Sequence, residues 1–408
     1  MWRALRHRNY RLFFAGQSIS LIGTWLTRVA TGWLVFRLTS DPFLLGLAGF
    51  AGQIPTFLLA PIAGVLIDRW DRHRVLVVCQ VLAMLQSVGL AYFALDGSIT
   101  VAHVLVLNVI QGLINAFDTP ARQTFVVEMI EDKGDLSNAI ALNSSMVNFA
   151  RLAGPAIAGV LIAAVGEGWC FAIDAFSYAA VIVSLVEMRV VRRARRPSRA
   201  IGAELRDGFW YVARSPAIRA VLALLATTSL MGLPYTVLMP MMSADVFGGG
   251  SATNGFLMSA SGVGALAGAI FLARRASTRG LGAIIPRAAI GFGASLLVFA
   301  VTPTVWLAAP ILVLSGFGMI VQMASSNTVI QTIVDEDMRG RVMAFYTMAF
   351  FGTTPFGSLI AGALADQIGA PATIAAGGGV CILGGLLFLR VRASVAAALA
   401  EAEARPRG

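Results

Sequence analysis

Apolar runs of about twenty residues recur along the chain, separated by short polar turns. A run of that length crosses a hydrocarbon core ~30 Å thick as a helix. Within a bilayer only helices and closed barrels satisfy every backbone group, and none of these runs alternates as a barrel strand would. The pattern therefore predicts about twelve transmembrane helices. They fall over 12–36, 43–67, 75–95, 100–118, 138–165, 169–188, 217–246, 253–273, 283–301, 305–331, 341–365 and 371–389. Arg3, Arg6, Arg8 and Arg11 precede the first run, which is too long for a signal-peptide core and is expected to be a retained helix.

Composition agrees with the pattern. Of the 408 residues, 57% are hydrophobic and 13% charged, and the mean hydropathy is +0.78. A soluble domain carries roughly 25% charged residues. The net charge of +10 raises nucleic acid as a partner, but its distribution excludes that reading. Arginines fall at the N-terminus, in 69–74, 189–219, 274–279 and 339–341, and after 390. The alternate connections, around Asp96–Thr100, Gly166–Gly168, Phe247–Thr253, Thr302–Thr304 and Asp366–Pro371, hold no Lys or Arg. This is the positive-inside asymmetry, and it predicts a multi-pass inner-membrane protein with both termini cytoplasmic. The run RRARRPSR (192–199) could also touch anionic lipid headgroups. Cys79, Cys170 and Cys381 have no metal or disulfide spacing and read as small apolar helix residues.

The chain repeats itself. GPAIAGVLIAAVG (154–166) resembles GSLIAGALADQIG (357–369), half a chain later, and RQTFVVEMI (122–130) echoes IQTIVDEDM (330–338). Two related bundles of about six helices follow, an arrangement transporters use to place cargo at mid-membrane. The fold class expected is an all-α membrane protein of two pseudo-symmetric six-helix bundles, over 1–188 and 217–390. A basic linker (189–216) joins them, and a cytoplasmic tail (391–408) follows. Within the linker, Ile201, Leu205, Phe209 and Val212 at helical spacing suggest an amphipathic helix. It would either lie in the interface, with Trp210 and Tyr211 at headgroup level, or be a solvated linker helix.

The most charged turn, GVLIDRWDRHR (64–74), sits between the second and third runs. With about twelve helices in two halves, it resembles the major facilitator superfamily. Gly64, Leu66, Asp68, Arg69, Arg72 and Arg74 match that family's gating motif. Asp71 stands where the family usually has glycine, and the equivalent turn of the second half (268–280) keeps arginines but lacks the aspartate. The chain is most similar to the enterobactin-exporter branch through 8–39, 118–130, 136–159 and 207–219. In ARLAGPAIAG (150–159), Gly154, Pro155 and Gly159 match the antiporter motif of the fifth helix, with Ala150 and Ala158 replacing two glycines. The arginine that proton antiporters of the family often carry in the fourth helix is Asn108 here, although Gln111 and Gly112 are retained. The resemblance implies that Asp68 meets the start of the eleventh helix near Arg339–Val342 when the cytoplasmic side is closed, and that Gln17, Asn108, Gln111, Asn115, Gln322, Ser325 and Asn327 line a cavity.

Three charges fall deep inside runs: Arg28, Arg151 and Asp174. Each costs about 2.5–3.5 kcal/mol at mid-bilayer on insertion scales, so each should pair or face a cavity. Similar depth suggests an Arg28–Asp174 pair. Arg28 and Arg151 are the candidates for an anionic cargo, since a guanidinium stays charged and offers forked donors. Asp174 is the candidate for proton exchange, with Asp118 and Glu128 next.

No enzyme signature competes. The one lysine is Lys133, which leaves no phosphate-binding GxxxxGK[ST] loop, and His7, His73 and His103 form no metal or nucleophile motif. No cofactor or metal is expected. The reading is a secondary transporter, expected to be a monomer, with a small-molecule cargo and the proton as coupling ion. Siderophore or drug efflux leads. A lipid or lysophospholipid flippase, a metabolite uptake carrier and a transport-inactive sensor remain as alternatives.

Overall fold

Twelve helices in the computed structural model are long and apolar enough to cross a membrane. The structure describes residues 3–130, 132–189, 201–275, 277–278 and 280–404. The side chains of 60, 61, 65, 68, 133, 201–205, 403 and 404 lie outside the described set. The first six spans are α1 (Arg8–Thr39), α2 (Pro42–Arg69), α3 (Arg72–Asp96), α4 (Val101–Glu128), α5 (Leu136–Val165) and α6 (Glu167–Val186). The linker helix α7 (Ile201–Arg214) follows. The remaining spans are α8 (Pro216–Val246), α9 (Ser251–Ala273), α10 (Leu281–Ala300), α11 (Val305–Ile333), α12 (Arg339–Ile368) and α13 (Ala370–Ala404). No strand occurs among the described residues.

The turns are built from local chemistry. The Asp41 carboxylate accepts from the Phe43 and Leu44 amides at 2.8 and 3.2 Å and starts α2, with Pro42 in its first turn. Asp71 caps α3 through the Arg74 amide at 3.2 Å. Thr100 and His103 cap α4 reciprocally, and Ser215 accepts from the Ile218 amide to start α8. Each cap satisfies amides that a helix N-terminus otherwise leaves open.

Several helices outrun their apolar cores. α4 continues past the expected end at 118 to Glu128, and α13 runs to Ala404, through much of the segment expected as a tail. The extra turns of α13 are alanine-rich and hold a helix by propensity rather than by hydropathy. Two spans are irregular. α8 turns from α-helix into π-helix over Thr228–Gly232 and 3-10 helix over Leu233–Thr236, and it closes with π-helix over Met242–Val246. α12 holds a π segment over Met348–Gly352. Pro234 and Pro240 remove backbone donors from α8, which accounts for part of that irregularity.

The chain forms two compact units, Met1–Ser198 with Gly248–Ser259, and Arg199–Phe247 with Ala260–Gly408. Unit 1 has a core of Tyr10, Phe13, Ile67, Phe125, Leu142 and Leu185. Unit 2 has one of Ile218, Leu225, Ile285, Val329, Val342 and Phe388. Large apolar side chains also cover the outside, as lipid contact requires: Phe176 is 79% and Trp306 80% exposed.

In unit 2 the linker helix is docked. Gly208 of α7 lies against Arg341 and Phe345 of α12, the Tyr211 hydroxyl donates to Asp335 at 2.9 Å, and Arg341 pairs with Asp207 at 3.7 Å. Phe209 and Trp210 remain exposed, so α7 is amphipathic and packs on α12 rather than standing free.

Candidate transport site

The charged turn is held from within unit 1. Arg72 forms an ion pair with Glu128 at the end of α4. Arg74 pairs with Asp71 at 3.7 Å. The His73 ring is 2.7 Å from the Leu185 carbonyl, and Trp70 stacks on Phe117. Arg69 is exposed, and an added Cβ on Gly64 would meet nothing within 4 Å. The side chain of Asp68, the acid of the gating motif, lies outside the described residues. Nearly three turns before Glu128 on α4, Asp118 is buried, pairs with Arg122 at 2.6 Å and accepts from Gln80 Nε2 at 2.7 Å. Asp118 and Glu128 thus each sit in an ion pair.

The intramembrane charges divide differently from expectation. Asp174 on α6 is 1% exposed. Its Oδ2 accepts from the Thr27 hydroxyl of α1 at 2.7 Å and from the Ser87 hydroxyl of α3 at 3.0 Å. The Ser177 hydroxyl lies 3.3 Å from its Oδ1 and donates to its backbone carbonyl at 2.7 Å. Among the described residues no ion pair joins Arg28 to Asp174. The reason is azimuth. Thr27 points at α6, and the next residue lies about 100° further round the helix. Arg28 is exposed, on the side of α1 opposite the exposed Ile19, which is about two and a half turns away. Its guanidinium lies 5.0 Å from the centroid of Trp25, a cation–π contact. Arg151, half-buried on α5, is near enough for its charge to act on Arg28. Two guanidiniums of one sign thus share this part of the unit.

The helix-five motif is a pair of close approaches. An added Cβ on Gly154 would come within 2.4 Å of Trp25 Cβ, so this glycine lets α1 set the Trp25–Arg28 pair against α5. One on Gly159 would come within 2.6 Å of the Ser251 carbonyl and 2.9 Å of Gly255 Cα, at the start of α9. The Ser251 hydroxyl donates to the Gly159 carbonyl at 3.2 Å. Pro155 lies inside α5, one turn earlier.

The polar candidates are mostly engaged in helix packing. Asn108 Nδ2 donates to the Ala48 carbonyl at 3.2 Å, and Gln111 Nε2 donates to Asn115 Oδ1 at 3.1 Å, leaving Gln111 Oε1 buried without a partner. Gln17 is buried. In unit 2, Gln331 donates to Asn327. Gln322 on α11 accepts from the Thr228 hydroxyl at 3.3 Å, at the π segment of α8. Its Nε2 and the Ser325 hydroxyl are buried with no partner. The Ser229 hydroxyl, also in that segment, donates to the Phe350 carbonyl in the π segment of α12 and lies 3.2 Å from the Thr354 hydroxyl. Such π segments are frequent at functional positions.

Sequence reasoning missed the hydroxyl partners of Asp174, Trp25, and the Thr228–Gln322 contact. A hydroxyl residue in a membrane helix most often bonds its own backbone, as Thr24 and Ser184 do here, so the sequence carries no mark separating Thr27, Ser87 and Ser177. The prolines of α8 were the available signal for its break.

A twelve-span chain with charges buried in its first half has a match across its whole length. The family model described as transmembrane secretion effector covers residues 1–406. The chain belongs to that family. It is a transporter of the major facilitator superfamily. It is 24% identical to the staphyloferrin A transporter of Staphylococcus aureus, over 88% of this chain and 90% of that one. It is 27% identical to the multidrug efflux pump Tap of Mycolicibacterium fortuitum, over 87% and 88%. It is 24% identical to the enterobactin exporter EntS of Shigella boydii, over 94% and 92%. Among solved structures, a peptide transporter POT mutant superposes with a TM-score of 0.76 at 13% identity, over 96% of this chain and 95% of that one. A bacterial homologue of the lysosomal transporter Spinster gives 0.68 at 14% identity, over 97% of each. These two likenesses speak to the fold alone.

Proposed function

We propose that this transporter exports a small organic anion by alternating access in exchange for protons, with both termini on the cytoplasmic side of the bacterial inner membrane. The observation that carries the reading is on α1, where adjacent residues serve two settings. Thr27 holds Asp174 inside the unit, while Arg28 is exposed on the side of α1 opposite the apolar Ile19. One helix thereby touches a proton station and an anion station.

The setting of Asp174 favours its protonated form. The Ser177 hydroxyl shares its proton between the Asp174 backbone carbonyl at 2.7 Å and Oδ1 at 3.3 Å. Oδ2 accepts from Thr27 and Ser87. A buried carboxylate with neutral donors and no cation is costly, and a proton removes that cost. The cargo's charge would be met by Arg28 and Arg151, and its neutral polar groups by residues such as Asn108, Gln111 and Gln322. Relatives named for staphyloferrin A and enterobactin favour a siderophore-like cargo, and one named as a multidrug pump favours a drug.

In the same reading, residues 1–188 and 217–390 are the two moving bundles joined by 189–216, a monomer suffices, and Asp68, Arg69, Arg72 and Arg74 with Gly64 gate the cytoplasmic side. Gly154, Pro155 and Gly159 are the tight packing that the antiport cycle uses. The test is cargo flux in everted vesicles with and without a pH gradient, alongside cysteine labelling in intact cells. Gradient-dependent uptake of an anionic siderophore, with Ser98→Cys labelled from outside and Ser198→Cys protected, is the expected result. Uptake indifferent to the gradient, lipid movement without cargo flux, or labelling of Ser198→Cys would overturn the corresponding part.

A further inference from the structure

Unit 2 carries a second setting that the transport reading does not use. Arg287 lies in the second turn of the membrane span α10, about 9 Å in from Leu281 at ~1.5 Å per residue. It is exposed, and no described residue offers it a hydrogen bond or an opposite charge. An arginine inside a span is costly unless it finds a partner, and its long stem lets the guanidinium reach back toward the interface. Beside it runs an apolar groove of about 500 Å³ between α9, α10 and α11. Phe271, Phe317, Leu314 and Val298 wall it. At Gly291, one turn from Arg287, an added Cβ would meet nothing within 4 Å.

We propose that this groove holds one acyl chain of an anionic phospholipid whose headgroup phosphate sits on Arg287. The neighbouring glycines show that the space is not a helix-packing slot. An added Cβ on Gly264 would come within 1.8 Å of the Val313 carbonyl, and one on Gly316 within 1.9 Å of the Ser261 carbonyl. Backbone fills those approaches, whereas the approach at Gly291 is open. The groove extends along α10 from Ile284 to Val298, about 21 Å. That exceeds half of a hydrocarbon core ~30 Å thick and suits a single extended chain. A guanidinium fork matches a phosphate diester. Arg274 and Arg275 follow Phe271 within four residues at the same end, so a lipid bearing its own ammonium group is disfavoured there.

The test is native mass spectrometry of the full chain released from nanodiscs of equimolar phosphatidylglycerol and phosphatidylethanolamine. The wild type should retain one phosphatidylglycerol in preference. Arg287→Gln should lower the phosphatidylglycerol-to-phosphatidylethanolamine ratio about fivefold, while Arg390→Gln, the same charge change on α13, leaves it unchanged. Gly291→Leu, which projects into the groove, should remove the retained lipid of either kind, and Ala294→Leu serves if that variant does not fold. Equal ratios for Arg287→Gln and Arg390→Gln, a lipid retained in both groove-filling variants, or a second copy of the chain in place of the lipid would overturn the assignment.

Discussion

Replacing Asp174 by asparagine separates the proton from the shape that holds it. Oδ2 accepts two hydroxyl protons, and Oδ1 has only the longer contact with Ser177. An asparagine keeps the two short bonds: its carbonyl accepts from Thr27 and Ser87, and its amide lies beside the Ser177 oxygen. The variant should therefore fold, with a stability change of about 1 kcal/mol or less. Alanine removes all three side-chain contacts, at about 1 kcal/mol each, and leaves a void in a site that is 1% exposed. A loss of about 3 kcal/mol or more is expected for Asp174→Ala. The contrast between the two variants reads the hydrogen-bond assignment, independently of transport.

Function should divide the other way. With the membrane potential clamped at zero and one proton exchanged per cargo, a pH difference of one unit sustains about a tenfold cargo gradient. Wild-type proteoliposomes should reach it, whereas Asp174→Asn should exchange labelled for unlabelled cargo at a rate near wild type and accumulate none. A tenfold gradient in Asp174→Asn would refute the coupling role. Asp118 and Glu128 are then the next acids to consider, although each already neutralises an arginine. A large fall in melting temperature for Asp174→Asn, equal to that of alanine, would show instead that a neutral side chain does not hold this site.

Arg28→Ala should weaken an anionic cargo about 10–100-fold, the worth of a charge-assisted hydrogen bond, and Arg28→Lys should restore only part of it because the fork is gone; equilibrium binding by the purified protein measures both. For the charged turn, Arg72→Ala and Glu128→Ala with their double variant should give a coupling of about 1 kcal/mol in thermal unfolding, since the pair is partly open, at 28% and 17% side-chain exposure. Additive losses would show that the pair contributes nothing. Gln322→Leu should alter cargo affinity without shifting the pH dependence of accumulation, because it removes a neutral partner in unit 2 and touches no charge; a changed pH profile in the flux assay counts against that division.

The spans were legible because hydropathy over about twenty residues is a direct statement of membrane thickness. The halfway repeat was equally open to reading. What failed was anything that depends on direction round a helix. Arg28 and Asp174 are at similar depth, and depth alone made them a pair. The partner is Thr27 because one residue is about 100° of rotation, and hydropathy does not report rotation in a helix that is apolar nearly all round. Helix ends failed for a related cause. The last turns of α4 and α13 are polar or alanine-rich, so they are helical for reasons a hydrophobic window does not measure.

The charges within the units tell the same story about division of labour. In unit 1, Arg28, Arg151, Asp174, Asp118 and Arg122 all lie within spans. In unit 2, the span positions around the π segments offer Thr228, Ser229, Gln322 and Ser325, all of them neutral. A neutral amide or hydroxyl can bond a cargo without having to be discharged when the cargo leaves. A charge cannot, because each cycle must return it to a paired or protonated state at a cost set by its burial. In the proposed reading, coupling belongs where a titratable acid and a fixed cation lie on neighbouring helices, Asp174 on α6 and Arg28 on α1. The neutral positions near the π segments can then set which cargo binds without altering how many protons move. On that logic, exchanging polar residues in unit 2 changes the substrate, while exchanging Thr27 or Asp174 changes the energetics.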